Sequence, residues 1–190
     1  MKKTLLTIAS AALLSSTAQA QNIFGDESSI FVSPFVGYGF DSEENYGGIA
    51  VGIENGQNQF YLQYGGMSQS ILFESGLFDD GFGGLVYADV DLDAISIGYT
   101  GTTPISDTTN LYLGVSMGVG SIEASVDTLF DSYDFDESVF CFDAKIGVEV
   151  ASNDNVSLLA GVRYYYFAEP IKGAGAIDDF ALEFGAKFTF

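Results

Sequence analysis

Residues 179–190 alternate strictly between apolar side chains and small, polar or charged ones. One face carries Phe180, Leu182, Phe184, Ala186, Phe188 and Phe190, and the other carries Ala181, Glu183, Gly185, Lys187 and Thr189. Side chains of a β-strand alternate between its two faces, so this pattern predicts a strand with one fully apolar face. Such a face is typical of a membrane-barrel strand, which has lipid outside and a polar lumen inside.

Seven further segments show the same alternation, with glycine, serine or charged residues opposite many of the apolar positions. They are residues 30–40, 47–54, 59–70, 86–100, 111–120, 139–150 and 156–167. With the last segment they predict an all-β chain of eight strands, each about as long as a membrane-crossing strand.

Two irregularities interrupt this pattern. Pro34 lies within the first segment and has no N–H for a sheet ladder, which predicts a bulge or a local break there. In the segment 86–100, the apolar positions change phase after Leu92. A β-bulge near Asp93 and Ala94 would reconcile the two phases.

Connection lengths indicate how the strands are arranged. Asn55-Gly56 is a strong signal for a tight hairpin after the second strand. Longer connections follow the third, fifth and seventh strands, and residues 121–138 form the longest predicted loop. Short and long connections at opposite ends are typical of an up-and-down outer-membrane barrel, with both chain ends at the periplasmic end.

The N-terminal segment has the features of a secretory signal peptide. Lys2 and Lys3 precede a short apolar run, and Ala18-Gln19-Ala20 provides small residues at a cleavage site. The apolar run is shorter than the roughly 20 residues of a membrane-spanning helix. We therefore expect a signal peptide at residues 1–20, a polar lead-in at 21–29 and the barrel at 30–190. An uncleaved amphipathic helix is the alternative.

Composition narrows the possible partners. Cleavage after residue 20 would remove two of the 6 basic residues and none of the 26 acidic ones, leaving a net charge of −22. Nucleic acid needs a basic surface and is therefore not an expected partner. Cys141 is the only cysteine, so the chain has no intrachain disulfide framework.

The C-terminal residues carry a specific motif. Glu183, Gly185, Phe188 and Phe190 match the polar residue, glycine and paired aromatic residues that end the strand in outer-membrane barrels. With the eight alternating segments, the chain resembles the small eight-stranded outer-membrane β-barrel family of the OmpA/OmpX type. The resemblance covers residues 30–190 and implies that the β-barrel assembly machinery reads the last strand. It also implies a location in the cell outer membrane.

Charged residues on the predicted inward faces are the main candidate site. A lumen of eight strands is just wide enough for side chains to fill it, so charges there must be paired. We expect a charge network of Asp143, Lys145, Glu149, Arg163, Glu183 and Lys187. A polar plug that holds the barrel together is the main interpretation, and a narrow ion path or a catalytic carboxylate pair are the alternatives.

Catalysis is not expected. The chain has no histidine, which removes the commonest general base and the resemblance to outer-membrane enzymes that use one. Cys141 is predicted to face inward on a packed strand without a histidine partner, so it is not an expected nucleophile. No cofactor is predicted.

Acidic residues cluster in and near the predicted loops, where divalent cations could bind. Asp89, Asp91 and Asp93 have the spacing that opens an EF-hand, but Ala94 and Thr100 replace its glycine and glutamate. These three residues are therefore weak metal candidates, and solvated acidic loops are the alternative. The longest predicted loop adds Asp127, Asp131, Asp134, Asp136 and Glu137.

The sequence thus predicts a non-enzymatic outer-membrane β-barrel that contacts lipid and has a polar, filled lumen. Its acidic surface loops favour a structural or surface-interaction role. A narrow small-solute or ion channel is one alternative, and a secreted, soluble lipocalin-like barrel is another. The aromatic run from Tyr164 to Phe167 fits an interfacial girdle, with core packing as the alternative.

Overall fold

The computed structural model describes residues 28–74, 85–127, 132–168 and 176–190. The predicted signal peptide and most of the lead-in lie outside these residues. The strands are β1 Ser28–Gly39, β2 Asn45–Asn55, β3 Asn58–Glu74, β4 Leu85–Pro104, β5 Thr109–Asp127, β6 Ser132–Asn153, β7 Val156–Phe167 and β8 Ile177–Thr189. Within the described residues, no helix is long and apolar enough to cross a membrane.

Each strand pairs antiparallel with the next, and β8 pairs with β1 to close the barrel. The prediction of an eight-stranded antiparallel up-and-down barrel is therefore confirmed. The start of β1, the end of β8 and the connections 56–57, 105–108 and 154–155 lie at one end, here called the turn end. The opposite end, here called the loop end, has the strand ends that are joined through residues 40–44, 75–84, 128–131 and 168–176.

Apolar side chains face outward along every strand, in an apolar belt. Leu113 is 62% exposed, Ile97 is 66% exposed and Phe184 is 56% exposed. The alternate positions face inward and are buried, including Arg163 and Ser116. A belt of this kind would be unfavourable in water, whereas hydrocarbon solvates it well.

The β-bulge predicted near Asp93 and Ala94 is wrong. Pairing of β4 with both β3 and β5 runs through these residues without a register shift. Val90 and Leu92 face inward together with Ser96, at 2%, 1% and 4% exposure. The apolar positions change phase along the sequence because the inward-facing residues change in character. They are apolar as far as Leu92 and polar from Ser96 onward.

Pro34 interrupts pairing on one side of β1 only. It pairs with Ile49 of β2 in an unbroken register. Between β1 and β8, the described pairs stop at Val32↔Phe188 and resume at Phe35↔Gly185 in the same register. The missing N–H of proline explains this local break, and no bulge accompanies it.

The longest predicted loop, 121–138, is mostly a hairpin. β5 continues to Asp127 and β6 starts at Ser132, and these two residues pair. Polar side chains do not by themselves end a strand, because the backbone ladder can continue through them. Only residues 128–131 connect the two strands, and they lie outside the described residues.

The strands β3 to β6 extend further at the loop end than the others do. The pairing of β1 with β2 ends at Tyr38↔Asn45, and that of β7 with β8 ends at Phe167↔Ile177. In contrast, β3 and β4 stay paired as far as Glu74↔Leu85. We call the extension the protruding sheet: residues 68–74 of β3, 85–91 of β4, 123–127 of β5 and 132–140 of β6.

Inward glycines make room for the aromatic side chains that fill the lumen. A Cβ atom at Gly37 would overlap the ring of Tyr46. At Gly147 and Gly161 a Cβ atom would overlap the Tyr112 hydroxyl. Because the closed sheet fixes the lumen width, a large side chain on one strand requires a glycine on its neighbour.

Gly37→Ala should destabilise the barrel by about 1–3 kcal/mol, because the Tyr46 ring must move in a filled lumen. Urea-induced unfolding in lipid vesicles measures this free energy. Gly101→Ala is the matched control, since the nearest atom to its Cβ is the Tyr99 hydroxyl at 3.4 Å. Equal unfolding free energies for the two variants would contradict the packing argument.

Candidate functional site

Arg163 of β7 lies at the centre of the lumen and is 3% exposed. Its Nε atom lies 2.7 Å from Oε2 of Glu183, and its Nη1 atom lies 4.0 Å from Oδ2 of Asp143. Its Nη2 atom donates to Oε1 of Gln63 at 3.2 Å. The guanidinium carbon is 4.5 Å from the centroid of the Phe35 ring. We call these residues, with Tyr46, the arginine layer.

The carboxylates of the arginine layer have further partners. The Tyr46 hydroxyl donates to Oε2 of Glu183 at 3.1 Å. The Ser116 hydroxyl contacts Oδ2 of Asp143 and lies 3.1 Å from the Ser96 hydroxyl. Oδ1 of Asp143 is buried and has no hydrogen-bond partner among the described residues. Nε of Arg163 likewise makes no hydrogen bond among the described residues, so its contact with Glu183 is an ion pair only.

A second ion-pair cluster lies nearer the turn end. Nζ of Lys187 lies 2.5 Å from Oε1 of Glu149 and 3.0 Å from Oε2 of Glu54. Glu54 is absent from the predicted network, although its even position in β2 places it on the same face as Gly52. The period-two pattern could have identified it as an inward carboxylate.

Lys145 does not form an ion pair with a carboxylate. Its Nζ lies 4.6 Å from the centroid of the Tyr61 ring, which is a cation–π arrangement. Among the described residues, no carboxylate oxygen lies within 4.0 Å of this nitrogen. The structure thus brings Asp143, Arg163 and Glu183 together, and Glu149 with Lys187, but leaves Lys145 apart.

At the loop end the lumen is apolar, which differs from the polar lumen that the sequence predicts. Inward apolar side chains form a cluster there: Phe35, Tyr46, Met67, Val90, Leu92, Ile122, Val139, Cys141, Tyr165, Phe167 and Ala181. Side chains fill this lumen and pack as they do in a protein core. Apolar residues therefore stabilise it without hydrogen-bond or ion-pair partners.

The aromatic run on β7 divides between the two faces. Tyr165 and Phe167 are buried in the apolar cluster, as the packing alternative predicts. Tyr164 faces outward, where its hydroxyl donates to Asp178 at 3.0 Å and its ring lies 5.0 Å from the Phe180 ring. This outward tyrosine fits the girdle interpretation.

Asp179 of β8 anchors the connection between β1 and β2. Its Oδ1 accepts from the N–H of Asp41 at 3.0 Å. Its Oδ2 accepts from the N–H of Ser42 at 3.0 Å, the Ser42 hydroxyl at 2.7 Å and the Tyr165 hydroxyl at 3.1 Å. No sequence pattern indicates this role, because it depends on contacts across the closed barrel.

Two of the three weak metal candidates, Asp91 and Asp93, have hydroxyl partners in the described structure. Asp91 and Asp93 face outward and accept hydrogen bonds from Ser68 and Tyr64. The side chain of Asp89 lies outside the described residues. No group of three His, Cys, Asp or Glu residues in the described part of the chain could hold a metal ion.

Comparison with known proteins supports the fold. No protein-family model matches the chain, and no curated protein matches it significantly. Neisserial surface protein A (NspA) matches with a TM-score of 0.60 and 17% identity, over 86% of this chain and 96% of that one. A major outer membrane protein of Thermus thermophilus has a TM-score of 0.57 and 12% identity, over 85% of this chain and 99% of that one.

The N-terminal β-barrel domain of Pseudomonas aeruginosa OprF matches with a TM-score of 0.51 and 14% identity, over 86% of this chain and 98% of that domain. The chain has the fold of the small eight-stranded outer-membrane β-barrels. The resemblance to this family is confirmed at the level of the fold. The apolar belt and the fold together agree with the predicted location in the cell outer membrane.

The residues of the predicted assembly motif lie on both faces of the closing strand. Glu183 is 4% exposed in the lumen, whereas Phe188 and Phe190 face outward at 39% and 66% exposure. The N–H of Phe190 donates to the carbonyl of Ile30 at 2.9 Å, which joins the last residue to β1. A Cβ atom at Gly185 would lie 2.9 Å from the Pro34 carbonyl. The motif residues therefore lie where β8 meets β1 and closes the barrel.

Arg163→Met should destabilise the barrel by about 3–5 kcal/mol, because the carboxylates of Glu183 and Asp143 then lack a cation. Addition of Glu183→Gln should recover part of this loss, since it removes one uncompensated charge. Urea titration in vesicles measures both effects, with Asp107→Asn in an exposed turn as the control. A stability of Arg163→Met equal to that of the control would contradict the role of the arginine layer.

Proposed function

We propose that this protein is a non-enzymatic outer-membrane barrel that binds extended segments of other proteins along an edge of its protruding sheet. The turn end then faces the periplasm and the loop end faces outward. This orientation is supported by the short connections at the turn end, since outer-membrane barrels have short periplasmic turns and longer extracellular loops.

The observation that carries the proposal is the pair of open edges on the protruding sheet. β3 continues through residues 68–74, but its pairing with β2 ends at Met67. β6 runs through residues 132–140, but its pairing with β7 begins at Cys141. No strand among the described residues covers either edge. Unpaired backbone N–H and C=O groups in a row are the docking site for an added strand.

The two edges differ in charge. Residues 132–139 include Asp134, Asp136 and Glu137, and charges of this density oppose strand addition. Residues 68–74 read Ser-Gln-Ser-Ile-Leu-Phe-Glu, with a single acidic residue. We therefore assign docking to the β3 edge. The net charge of the chain, −20, favours a partner segment that carries basic residues.

The other expected partners follow from the same location. Outer-membrane lipid covers the apolar belt. The β-barrel assembly machinery reads Glu183, Gly185, Phe188 and Phe190, as the family resemblance implies. Divalent cations near exposed carboxylates such as Asp91 would bridge the sheet to lipid headgroups. Catalysis is not part of the proposal, because the chain has no histidine and Cys141 is buried.

The two alternative functions fit the structure less well. A soluble lipocalin-like barrel would have a polar outer surface, whereas the outer belt of this barrel is apolar and its ion pairs lie inside. A narrow channel would have to pass the arginine layer, which lies between a cavity near Leu92 and another near Lys145. Conduction would therefore require the ion pair of Arg163 and Glu183 to open.

A basic, extended peptide tests the docking proposal. We expect the labelled peptide Lys-Thr-Val-Thr-Val-Thr-Lys to bind the barrel in lipid nanodiscs, measured by fluorescence anisotropy. The same peptide with alternate N-methylated amides should fail to bind, because it cannot complete the backbone ladder. Leu72→Pro should weaken binding at least about tenfold, since proline blocks the edge.

Heat-modifiable migration on gels serves as the folding control for Leu72→Pro. Asp107→Asn, in a turn at the opposite end, is the control for binding. Equal binding of the two peptides would show simple charge attraction and contradict strand addition. Unchanged binding to the folded Leu72→Pro variant would contradict the choice of the β3 edge.

A further inference from the structure

A cavity of about 60 Å³ lies in the loop-end half of the lumen. Its lining is mostly apolar and includes Met67 of β3, Leu92 and Ala94 of β4, and Phe167 of β7. Leu92, Met67 and Phe167 belong to the buried apolar cluster. Neither closure of the barrel nor the proposed docking at the β3 edge requires such a space.

The polar side chains of the lining interact with other groups of the protein. Nη2 of Arg163 donates to Oε1 of Gln63 at 3.2 Å, and both residues line the cavity. The hydroxyl of Tyr165, which also lines it, donates to Oδ2 of Asp179 at 3.1 Å. Burial of a charged group without a new partner is costly, so the cavity disfavours a charged ligand.

The size and the walls of the cavity define the ligand that fits. A water-sized group needs roughly 10–15 Å³, so the cavity has room for about four non-hydrogen atoms. Water in a cavity needs several polar partners, and the walls at Leu92 and Phe167 supply none. Apolar cavities take up noble-gas atoms and small hydrocarbons, because burial removes apolar surface from water. The flexible, polarizable thioether of Met67 can adapt to such a ligand.

We propose that this cavity is a binding site for small, neutral, apolar molecules of up to about four non-hydrogen atoms. The ligand packs against Leu92, Met67 and Phe167 and makes no hydrogen bond. Xenon and cyclopropane are small enough to enter, whereas benzene is too large. The site is separate from the lipid around the barrel, because Leu92 and Met67 face the lumen and are 1% and 8% exposed.

The methionines of the chain provide a direct test in the full-length barrel in lipid nanodiscs. Met67 lines the cavity, whereas Met117 is 54% exposed on the apolar belt. With ¹³C-labelled methionine methyl groups, the Met67 signal should shift with xenon pressure and then saturate, because a single site fills. The Met117 signal should shift in proportion to pressure, because xenon dissolves in lipid without saturating it. Propylammonium is also small but is charged, and it should leave the Met67 signal unchanged.

Two variants locate the site and test its size. Ala94→Leu fills the cavity from β4, and it should abolish the saturable xenon shift of the Met67 signal. Ala160→Leu is the matched control, since residue 160 lies between the outward residues Leu158 and Val162 of β7 and should keep the shift. Leu92→Ala enlarges the cavity and should allow benzene to shift the Met67 signal saturably. Heat-modifiable migration on gels checks folding, and either variant decides the outcome if the other does not fold.

Four results would overturn the proposal. A Met67 shift that stays proportional to xenon pressure would show that xenon acts through the lipid. A saturable shift that persists in folded Ala94→Leu would place the xenon elsewhere. Saturable binding of propylammonium would contradict the apolar character of the site, and failure of folded Leu92→Ala to bind benzene would contradict its size limit. None of these results bears on docking at the β3 edge, because the peptide assay measures a different surface.

Discussion

Closure of the sheet between β1 and β8 is the constraint on which the rest of this structure depends. In hydrocarbon, every backbone N–H and C=O must find a partner within the protein, so a spanning sheet cannot keep an open edge. Closure with eight strands fixes the lumen width, and the side chains must fill that width. The fit of Tyr46 against Gly37 and the pairing of Arg163 with Glu183 are both consequences of this limit.

Side chains fill the lumen in two different ways. At the turn end and centre, charged side chains fill it as paired clusters, such as Lys187 with Glu149. At the loop end, apolar side chains such as Leu92 fill it like a core. Beyond the loop end, closure is no longer required, because water can satisfy the backbone. The protruding sheet can therefore keep open edges, and the proposed docking at the β3 edge depends on this.

Much of the fold could be predicted because side chains of a β-strand alternate every residue, so the sequence assigns each residue to the inward or the outward face of the barrel. The pattern placed Glu183 inward and Phe184 outward, as the structure does. It failed at Leu92, because an apolar residue packed in the lumen has the same signal as one facing lipid. The two-residue period places Glu54 inward, but its pairing with Lys187 depends on another strand and follows only from the register of the closed barrel. The same holds for the contacts of Asp179 with Asp41 and Ser42.

The central claim is that apolar side chains face lipid while their sequence neighbours fill the lumen. The chain has no tryptophan, so a single introduced tryptophan reports its own surroundings. Fluorescence in vesicles of lipids with brominated acyl chains should be strongly quenched for Leu113→Trp. It should be almost unquenched for Tyr112→Trp, because Tyr112 is 3% exposed in the lumen. Strong quenching at position 112 with none at position 113 would contradict the account.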